Sequence, residues 1–452
     1  MNIADTLVGS SEGTDLLLDP AFPYGEDLLQ FIWEAGLYDA HGLRTTDGDA
    51  LEVLKAGRIQ PNSGPDLNDA VVRVGGQTWA GTVEVHLRSS EWNAHGHQHD
   101  PAYNNVVLHS VYLHDAEVHT ADGRRPPTVE LRGRIDERHL HLHQALMESR
   151  REVPCAPHLH AVDLSRIRLW LERLLVARLE RKVGEMEALY RRTGNDPAET
   201  LHHVLLRWLG GQVNAEAFSM LAHGLPLKLL LKYRDDRRRV EALLFGQAGF
   251  LEEELQDPYA HGLQEEYRWL SSMHGLRPMP VAAWKYGRLR PPNFPTVRLA
   301  QWAALVHARH ELYAGLLEQD DPNALLALLN VEAGGYWDTH YRFGQPAAAR
   351  PKRLGGAAAA GLIINAIVPY LFAMGRIRGF QPWQDRALAL MERLPAEQNT
   401  ITRMWEALGI KADNAGQGQA LVELRKNFCA ERKCLSCAIG TALHKSPVRP
   451  AG

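Results

Sequence analysis

Residues 64–109 read GPDLNDAVVRVGGQTWAGTVEVHLRSSEWNAHGHQHDPAYNNVVLH, and this stretch decides the fold class of the first third of the chain. Within it, residues 70–74 and 77–88 alternate apolar and polar side chains on either side of a Gly-Gly pair, the pattern of two strands joined by a hairpin turn. Residues 105–112 form a nearly continuous apolar run, which suits a central strand. The stretch therefore predicts a sheet.

The flanking sequence extends this sheet and then changes character. Residues 26–36 predict a helix that ends at Gly36, and residues 50–55, 116–119 and 127–132 are candidate further strands. From Leu164 onward the apolar spacing is helical. The helices expected there span residues 164–190, 198–209, 214–222, 238–254, 259–272, 297–318, 322–330, 357–374, 384–393, 399–407 and 417–428. The sequence predicts an α+β protein with a mixed sheet domain followed by a large all-helical region.

Three domains follow from this change of pattern. Residues 1–155 form the sheet domain, residues 160–425 form the helical domain, and residues 426–445 carry a cysteine motif. We expect the motif to dock on the first domain through Cys155.

Composition limits the function. The chain has 452 residues and a formal net charge of −4, so any contact with nucleic acid must use local basic patches. Four cysteines are too few for a secreted disulfide scaffold, and residues 1–15 lack the features of a signal peptide. The apolar run from Leu354 to Met374 contains Asn365 and Pro369, which favours a buried helix over a membrane span. We predict a cytoplasmic protein without membrane contact; the oligomeric state stays open.

The densest polar chemistry lies along the second hairpin strand. Alternation places Glu84, His86 and Arg88 on one face of residues 82–88, opposite the valines, and the hairpin brings Asp66 back toward Glu84. Two carboxylates over a sheet suit Mg²⁺ or Mn²⁺, and His86 would position or deprotonate a water. The sequence therefore makes Asp66, Glu84 and His86 the candidate catalytic centre, with Arg88 as a substrate contact. The alternative is that Asp66 is an ordinary turn residue and that Glu84 and His86 lie on a solvated strand face.

A histidine run follows that strand. His95 and His97 lie in the sequence AHGHQHDP, between His86 and His109 of the neighbouring strands. Imidazoles suit Zn²⁺, Mn²⁺ or Fe²⁺, so these four histidines are possible metal ligands; the alternative is an ordinary loop. Tyr103 and Asn105, which follow the run, are candidate substrate contacts or turn residues. His99 is expected to be a loop residue.

The cysteines cluster in sequence. Cys429, Cys434 and Cys437 fall within nine residues, and Cys155 ends the sheet domain. Four thiolates complete a tetrahedral Zn²⁺ site or bind a 4Fe-4S cluster. Three buried small residues without metal are the alternative.

Two helical-region segments combine basic and aromatic residues. Residues 284–295 contain Arg288 and Arg290, and residues 341–344 read YRFG. Arginine beside aromatic rings can bind phosphates and stack bases, which makes both arginines candidate nucleic-acid contacts. Packing at helix junctions is the alternative.

The order Pro65-Asp66, hairpin, Glu84-Val85-His86 resembles the PD-(D/E)xK nucleases. That family has a helix, a strand hairpin carrying the Asp and the E-x-K, then a helix and further strands. The resemblance implies a restriction-endonuclease-like fold and cleavage of DNA or RNA with a divalent metal, and it pairs residues 26–36, with Glu34, with the first helix. His86 stands where the family has lysine, which puts cleavage in doubt.

Four longer segments resemble an uncharacterised bacterial family, DUF2851: residues 45–109, EALLFGQAGFL, WKYGRLRPPNFPTVRLAQ and CAERKCLSCAIG. This second resemblance implies no activity. Three hypotheses remain: a metal-dependent nuclease, a non-catalytic nucleic-acid- or protein-binding protein with a degenerate nuclease fold and a structural metal, and a His/Asp metal-dependent hydrolase of small molecules.

Overall fold

The structure, a computed structural model, describes residues 24–60, 63–253 and 256–446. The N-terminal residues 1–15, in which no signal peptide is expected, lie outside the described residues. The chain divides into two compact units, residues 1–162 with 432–452, and residues 163–431. The predicted α+β class is confirmed in its coarse form, because a mixed sheet precedes a large helical region.

The first unit is built on a six-stranded sheet. Its strands run in the order β1-β3-β4-β5-β6, with β2 also paired to β3. The β1-β3-β4 neighbours are antiparallel, whereas β4 pairs with β5, and β5 with β6, in parallel. The strands are β1 (Leu51–Lys55), β2 (Arg58–Ile59), β3 (Leu67–Val74), β4 (Gln77–Arg88), β5 (Val106–Leu113) and β6 (Thr128–Glu130). Residues 116–119, a candidate strand by sequence, form none.

One face of this sheet holds the unit's main core. Helix α1 (Glu26–Ala35) buries Leu29, Ile32 and Trp33, and these side chains share a core with Val83 and Val85 of β4. Alternation along β4 turns Glu84 and His86 to the opposite face. That face carries a smaller core of Trp92, Tyr103, Val106 and Val118. The sheet thus separates an apolar side from a polar side.

Short helical segments and two further helices complete the first unit. Helix α3, which the sequence pattern did not predict, buries His139, His143 and Leu146, so two of its three buried positions are histidines. The segments are α2 (Glu91–Ala94), α3 (Glu137–Glu148), α18 (Ala438–Lys445) and the 3₁₀ turns His97–His99, Pro101–Asn105 and Ala156–Ala161.

The second unit is helical except for a two-stranded hairpin, β7 (His340–Arg342) with β8 (Gln345–Pro346). The expected single helix over residues 297–318 is wrong, because the structure breaks it after Ala308 and begins a new helix at Leu312. The α-helices are α4 (Leu164–Arg192), α5 (Pro197–Leu209), α6 (Gly211–Gly224), α7 (Leu227–Lys232), α8 (Arg237–Gln247), α9 (Pro258–His274), α10 (Pro295–Ala308), α11 (Leu312–Glu318), α12 (Pro322–Leu329), α13 (Gly356–Leu362), α14 (Val368–Arg378), α15 (Gln381–Arg393), α16 (Thr400–Ala407) and α17 (Ala415–Leu424). The remaining turns are Val281–Ala283, Pro291–Asn293 and Gly335–Asp338 (3₁₀), with π-helical Ile363–Ile367 and Arg425–Cys429.

The long apolar run lies in one continuous helix, Gly356–Arg378, which is long and apolar enough to cross a membrane. Its most apolar window is 78% buried inside the protein, as in the core helix of a globular domain. A π-helical turn at Ile363–Ile367 accommodates the polar Asn365, whose Nδ2 donates to the Gly361 carbonyl at 3.0 Å. Burial of this kind supports the interpretation as a core helix.

The C-terminal helix α18 places a buried histidine in the first unit. His444 is 1% exposed, and neither ring nitrogen has a hydrogen-bond partner among the residues the structure describes. Its ring packs edge-on against Phe31 of α1 at 5.2 Å and lies 5.9 Å from the His139 ring of α3. Burial, reinforced by the positive charge of His139 and His143, lowers the pKa of His444 to about 4.

We expect acid to loosen helix α18. A histidine with a lowered folded-state pKa contributes stability that is complete above its ordinary pKa of about 6.5 and is lost as the pH falls toward the folded value. Between about pH 6.5 and pH 4 that loss is about 3 kcal/mol for His444. Amide hydrogen exchange in α18, corrected for intrinsic rates, measures it. His444→Leu should remove most of the pH dependence, whereas His41→Leu, at a fully exposed site, should retain it; equal behaviour of the two variants contradicts the prediction.

Candidate metal centre

The polar face of β4 brings two predicted residues together. Glu84 and His86 are 4% and 1% exposed and lie on the same side of the strand. In the parallel pairing with β5, Glu84 is opposite His109, so that imidazole joins the same face. Strand pairing therefore gathers Glu84, His86 and His109 on one face of the sheet. Asp66, at the entry to β3, adds a fourth polar group.

Asp66 and Glu84 are linked reciprocally through backbone amides. The Asp66 N–H donates to Glu84 Oε2 at 3.0 Å, and the Val85 N–H donates to Asp66 Oδ2 at 3.0 Å. Burial, and then the negative charge of Glu84, raise the pKa of Asp66 well above its ordinary value. The hairpin thus places the two carboxyl groups close enough to repel each other, which a bound cation would relieve.

Three imidazoles converge beside Glu84. The ligand nitrogens of His86, His95 and His97 all lie within 4.8 Å of one another, and His86 Nε2 is 3.2 Å from His95 Nδ1. Gly96, with a φ of 79°, supplies the left-handed turn between α2 and the following 3₁₀ turn, so that His95 and His97 both reach β4. Loop geometry, and not strand alternation, therefore completes the cluster.

The spacing of these atoms fits a metal ion. Two ligand atoms bound at about 2.1 Å in tetrahedral geometry are about 3.4 Å apart. Glu84 Oε1 lies 3.3 Å from His97 Nε2 and 3.6 Å from His86 Nε2. The buried His97 Nε2 has no hydrogen-bond partner in the described part of the chain. The three imidazole nitrogens are thus close enough together to hold Zn²⁺, Mn²⁺ or Fe²⁺, with the Glu84 carboxylate beside two of them, and imidazole suits these ions better than it suits Mg²⁺.

A second layer of side chains fixes the imidazoles. His86 Nδ1 lies 2.9 Å from His109 Nε2, so one ring nitrogen of His86 is hydrogen-bonded and the other faces the cluster. Tyr103 stacks on His97 with ring centroids 3.8 Å apart, and Trp92 packs edge-on against the same imidazole. Neighbours of this kind hold ligand histidines in one orientation.

The electrostatics favour the neutral form of two buried histidines, His86 and His109. Burial, followed by the charge of His109, His97 and His95, lowers the pKa of His86 to about 2. Burial and His114 lower the pKa of His109 to about 3. Because only the neutral imidazole binds a metal, the lowered pKa of His86 favours its metal-binding form across the neutral pH range.

The structure adds a carboxylate that sequence reasoning missed. Burial, with the charges of Glu91, Asp66 and Glu84, raises the pKa of Glu26 to about 7. The Gln30 side chain also hydrogen-bonds Asp66. Glu34, which the nuclease resemblance places in the first helix, accepts the Ile59 N–H of β2 through its Oε1 at 3.0 Å. Glu26, Gln30 and Glu34 are spaced i, i+4 and i+8, which puts them on one face of the helix. This spacing was the only feature of the sequence that could have identified Glu26.

The structure places the other residues that were predicted near this site as follows. Tyr103 is 8% exposed and serves the His97 ring; Arg88 is exposed, with Nη1 3.8 Å from Asp115 Oδ2. Asn105 is exposed at the start of β5, and its carbonyl lies so close to Gly81 that a Cβ there would approach it to 2.4 Å. His99 is exposed, as expected. Substrate contact by these residues stays a prediction.

Arg288 and Arg290 lie in the second unit, on an exposed turn. The segment that carries them contacts the other basic-aromatic segment, since the Arg342 guanidinium lies 3.7 Å from the centre of the Tyr286 ring and 5.0 Å from that of Phe294. The two stretches singled out from sequence therefore contact each other. Together with the adjoining residues, such as Lys352 over the Tyr341 ring, they form one surface, called here the basic-aromatic surface and comprising residues 284–294 and 340–353.

Three cysteines belong to the first unit. Cys155, Cys434 and Cys437 are each 7% exposed. Burial, then the charges of Cys437 and Cys434, raise the pKa of the Cys155 thiol to about 12. Helix α18, capped by Cys437, packs against the 3₁₀ turn that follows Cys155. Cys429 is buried in the second unit, and its convergence with the others stays a prediction.

The family model described as protein of unknown function (DUF2851) matches residues 26–400. The chain belongs to the DUF2851 family. The matched DUF2851 region includes the whole histidine–carboxylate cluster, Cys155 and the basic-aromatic surface, and ends before the three C-terminal cysteines. Neither the curated proteins nor the solved structures contain a match.

Proposed function

We propose that the protein is a metal-dependent hydrolase that cleaves phosphodiester bonds of nucleic acid. The observation that carries the proposal is the convergence of His86, His95 and His97 at the spacing of metal ligands; beside them Glu84 lies 3.3 Å from His97 Nε2 and accepts the Asp66 N–H. A bound Zn²⁺, Mn²⁺ or Fe²⁺ would supply Lewis acidity and lower the pKa of a water. These residues fit such an ion because a buried ring nitrogen there has no other partner in the described chain.

The protein's own groups would perform the proton transfers. Asp66, whose Oδ2 accepts the Val85 N–H and whose own N–H donates to Glu84, is the carboxyl group beside the proposed metal that would accept and release a proton. Glu26 has a pKa of about 7 and faces the same carboxylates, so it is the second candidate. Glu84 would orient the centre through one oxygen toward the imidazoles and the other toward the Asp66 amide. Trp92 and Tyr103 would limit water access from one side.

The order of elements supports a nucleic-acid substrate. A helix, an antiparallel sheet with Asp66 at the entry to one hairpin strand and Glu84 on the next, and a following parallel strand agree with the PD-(D/E)xK layout. Two departures limit the analogy. The connection from β4 to β5 contains only the four-residue α2 and 3₁₀ turns, and His86 replaces the lysine. A restriction-endonuclease-like fold is therefore part of the proposal.

A hydrolase of small molecules is the second candidate. It is favoured by the enclosure of His97 between Tyr103 and Trp92, which suits a compact substrate. Phosphodiester chemistry is common to both candidates, but a small chromogenic diester and a polynucleotide would be turned over with opposite preference.

The test begins with the wild-type protein. We expect about one equivalent of Zn, Mn or Fe in the purified protein in addition to any thiolate-bound metal, and Mn²⁺- or Zn²⁺-dependent cleavage of single- or double-stranded DNA or RNA that EDTA abolishes. Bis(p-nitrophenyl) phosphate, assayed in parallel, separates the two candidates. A metal-loaded protein that cleaves neither class of diester would overturn catalysis in favour of a binding protein with a structural metal.

We further propose a structural metal at the thiolates. Burial and the neighbouring thiols raise the pKa of Cys155 to about 12 and that of Cys434 to about 11, so a nearby cation would be needed to hold either side chain as a thiolate. Zn²⁺ or an iron–sulfur cluster would provide that charge, with Cys155, Cys434 and Cys437 as ligands and Cys429 as the fourth ligand expected from spacing. Visible absorption separates the two.

A further inference from the structure

The basic-aromatic surface of the second unit is strongly positive in a chain of negative net charge. Residues 284–294 and 340–353 together contain seven Lys or Arg and no Asp or Glu, whereas the whole chain has a net charge of −4. Arg353 is paired with Glu332. Among the described residues, Lys285, Arg288, Arg290 and Arg350 are exposed and take part in no ion pair. Uncompensated charge of this density indicates a polyanionic partner.

Cation–ring contacts join the two segments into a single surface. Tyr286 and Phe294 lie 4.9 Å apart edge to face, and the Arg342 guanidinium packs on both rings. The Thr296 hydroxyl donates to the Tyr341 carbonyl at 2.5 Å, and Lys352 Nζ lies 4.2 Å from the centre of the Tyr341 ring. The buried Nε of Arg342 has no hydrogen-bond partner in the parts of the chain described. The positive charge at the centre of the surface is therefore not neutralised from within.

The backbone of the exposed turn is held in an unusual conformation. Arg288 has a φ of 63°, in the left-handed region that non-glycine residues seldom adopt. Strained residues of this kind are enriched at binding sites. The turn follows Trp284, whose indole N–H donates to the Ala248 carbonyl at 2.8 Å. The next residue, Lys285, is held through its backbone, because the Asn214 side chain accepts its N–H and donates to its C=O. The surface is thus exposed but rigidly supported.

We propose that the basic-aromatic surface binds the backbone of single-stranded nucleic acid. The proposal rests on the proposed function and names its substrate class. Exposed cations on an extended turn can contact successive phosphates of a flexible chain. The half-buried aromatic rings between them can contact unpaired bases. No helix or strand ribbon of the surface has the length required to enter a duplex groove: the strands at 340–342 and 345–346 are short and the remainder is turn.

Binding is measured by fluorescence anisotropy of a labelled oligothymidylate of about 20 nucleotides, with the full-length protein in excess EDTA. The test variant is Lys285→Ala/Arg288→Ala/Arg290→Ala. The control, Lys228→Ala/Arg268→Ala/Lys411→Ala, removes the same charge from exposed positions of the same unit. We expect the test variant to bind at least about tenfold more weakly and to lower the slope of log K against log salt by about 2. The control should stay within about twofold of wild type.

The proposal would be overturned by no binding by wild type, by equal weakening by both variants, or by competition by polyglutamate as strong as by unlabelled oligonucleotide. Duplex DNA that competes better than the single strand would also overturn it. Because EDTA prevents metal-dependent cleavage, binding as expected with no nuclease activity in metal would leave this proposal standing and remove only the proposed function.

Discussion

Replacing Glu84 with glutamine will abolish metal-dependent cleavage while leaving the sheet intact. The amide oxygen of glutamine can still accept the Asp66 N–H, so the hairpin keeps its register. The substitution removes the negative charge of the carboxylate that lies 3.3 Å from His97 Nε2, beside the proposed metal. We expect the cleavage rate to fall about 10²–10⁴-fold, the range for removing a positioned acid–base or electrostatic group. Metal content of the sheet site should fall with it.

The matched control is Glu52→Gln. Glu52 is an exposed carboxylate of β1 in the same sheet, paired with Arg73. Its loss should change neither metal content nor rate by more than about twofold, because surface ion pairs contribute about 0–1 kcal/mol. Initial rates on the best wild-type substrate, together with melting temperatures, decide the comparison. Full activity in the Glu84→Gln protein would place the chemistry elsewhere and discard this centre.

Serine at Cys434 will remove one metal equivalent and strongly destabilise the first unit. Structural thiolate sites contribute folding free energy directly, with apparent metal affinities worth about 10–16 kcal/mol in small zinc domains. Even a fraction of that exceeds the stability effect of most substitutions, typically about 0.5–3 kcal/mol. We therefore expect a fall in melting temperature of more than about 5 °C, the shift that about 1–2 kcal/mol produces in a domain of this size.

The control introduces a hydroxyl without removing a sulfur. Ala442 of α18 is 4% exposed, so Ala442→Ser adds one buried polar atom in the helix that follows the cysteines. Metal content by mass spectrometry and melting curves are compared with Cys434→Ser. Retention of the full metal content by the Cys434→Ser protein, with a melting temperature equal to that of the control, would refute the thiolate site. Cys429→Ser tests whether the fourth ligand is the expected one.

Sequence reasoning succeeded where a regular backbone fixes side-chain direction. The Gly-Gly turn and the alternation of residues 77–88 define β4 to the residue, and strand geometry then requires Glu84 and His86 to share a face. Asp66 was reachable because a hairpin has only a few registers. The parallel pairing of β4 with β5, which sets Glu84 beside His109, required a sheet topology that the local pattern does not encode.

It fell short where position depends on irregular backbone or on the direction of a helix. His95 and His97 join the cluster through a turn that depends on Gly96, and the sequence does not distinguish this turn from an ordinary loop. Glu26 and Glu34 share a helix face about 12 Å apart along the axis, and only the docking of α1 decides which end lies over the site. Helix α3 was missed because two of its three buried positions are histidines, which weakens the apolar period.

The first unit is discontinuous in sequence, and this affects how the protein is made. Leu435 packs into the core beneath the sheet, and Phe31 meets His444, yet residues 163–431 separate these partners along the chain. At about 5–20 residues per second, a ribosome needs on the order of 15–50 s to synthesise the intervening segment. During that interval the sheet domain lacks helix α18, so the apolar side chains that Leu435 and His444 contact are accessible to chaperones.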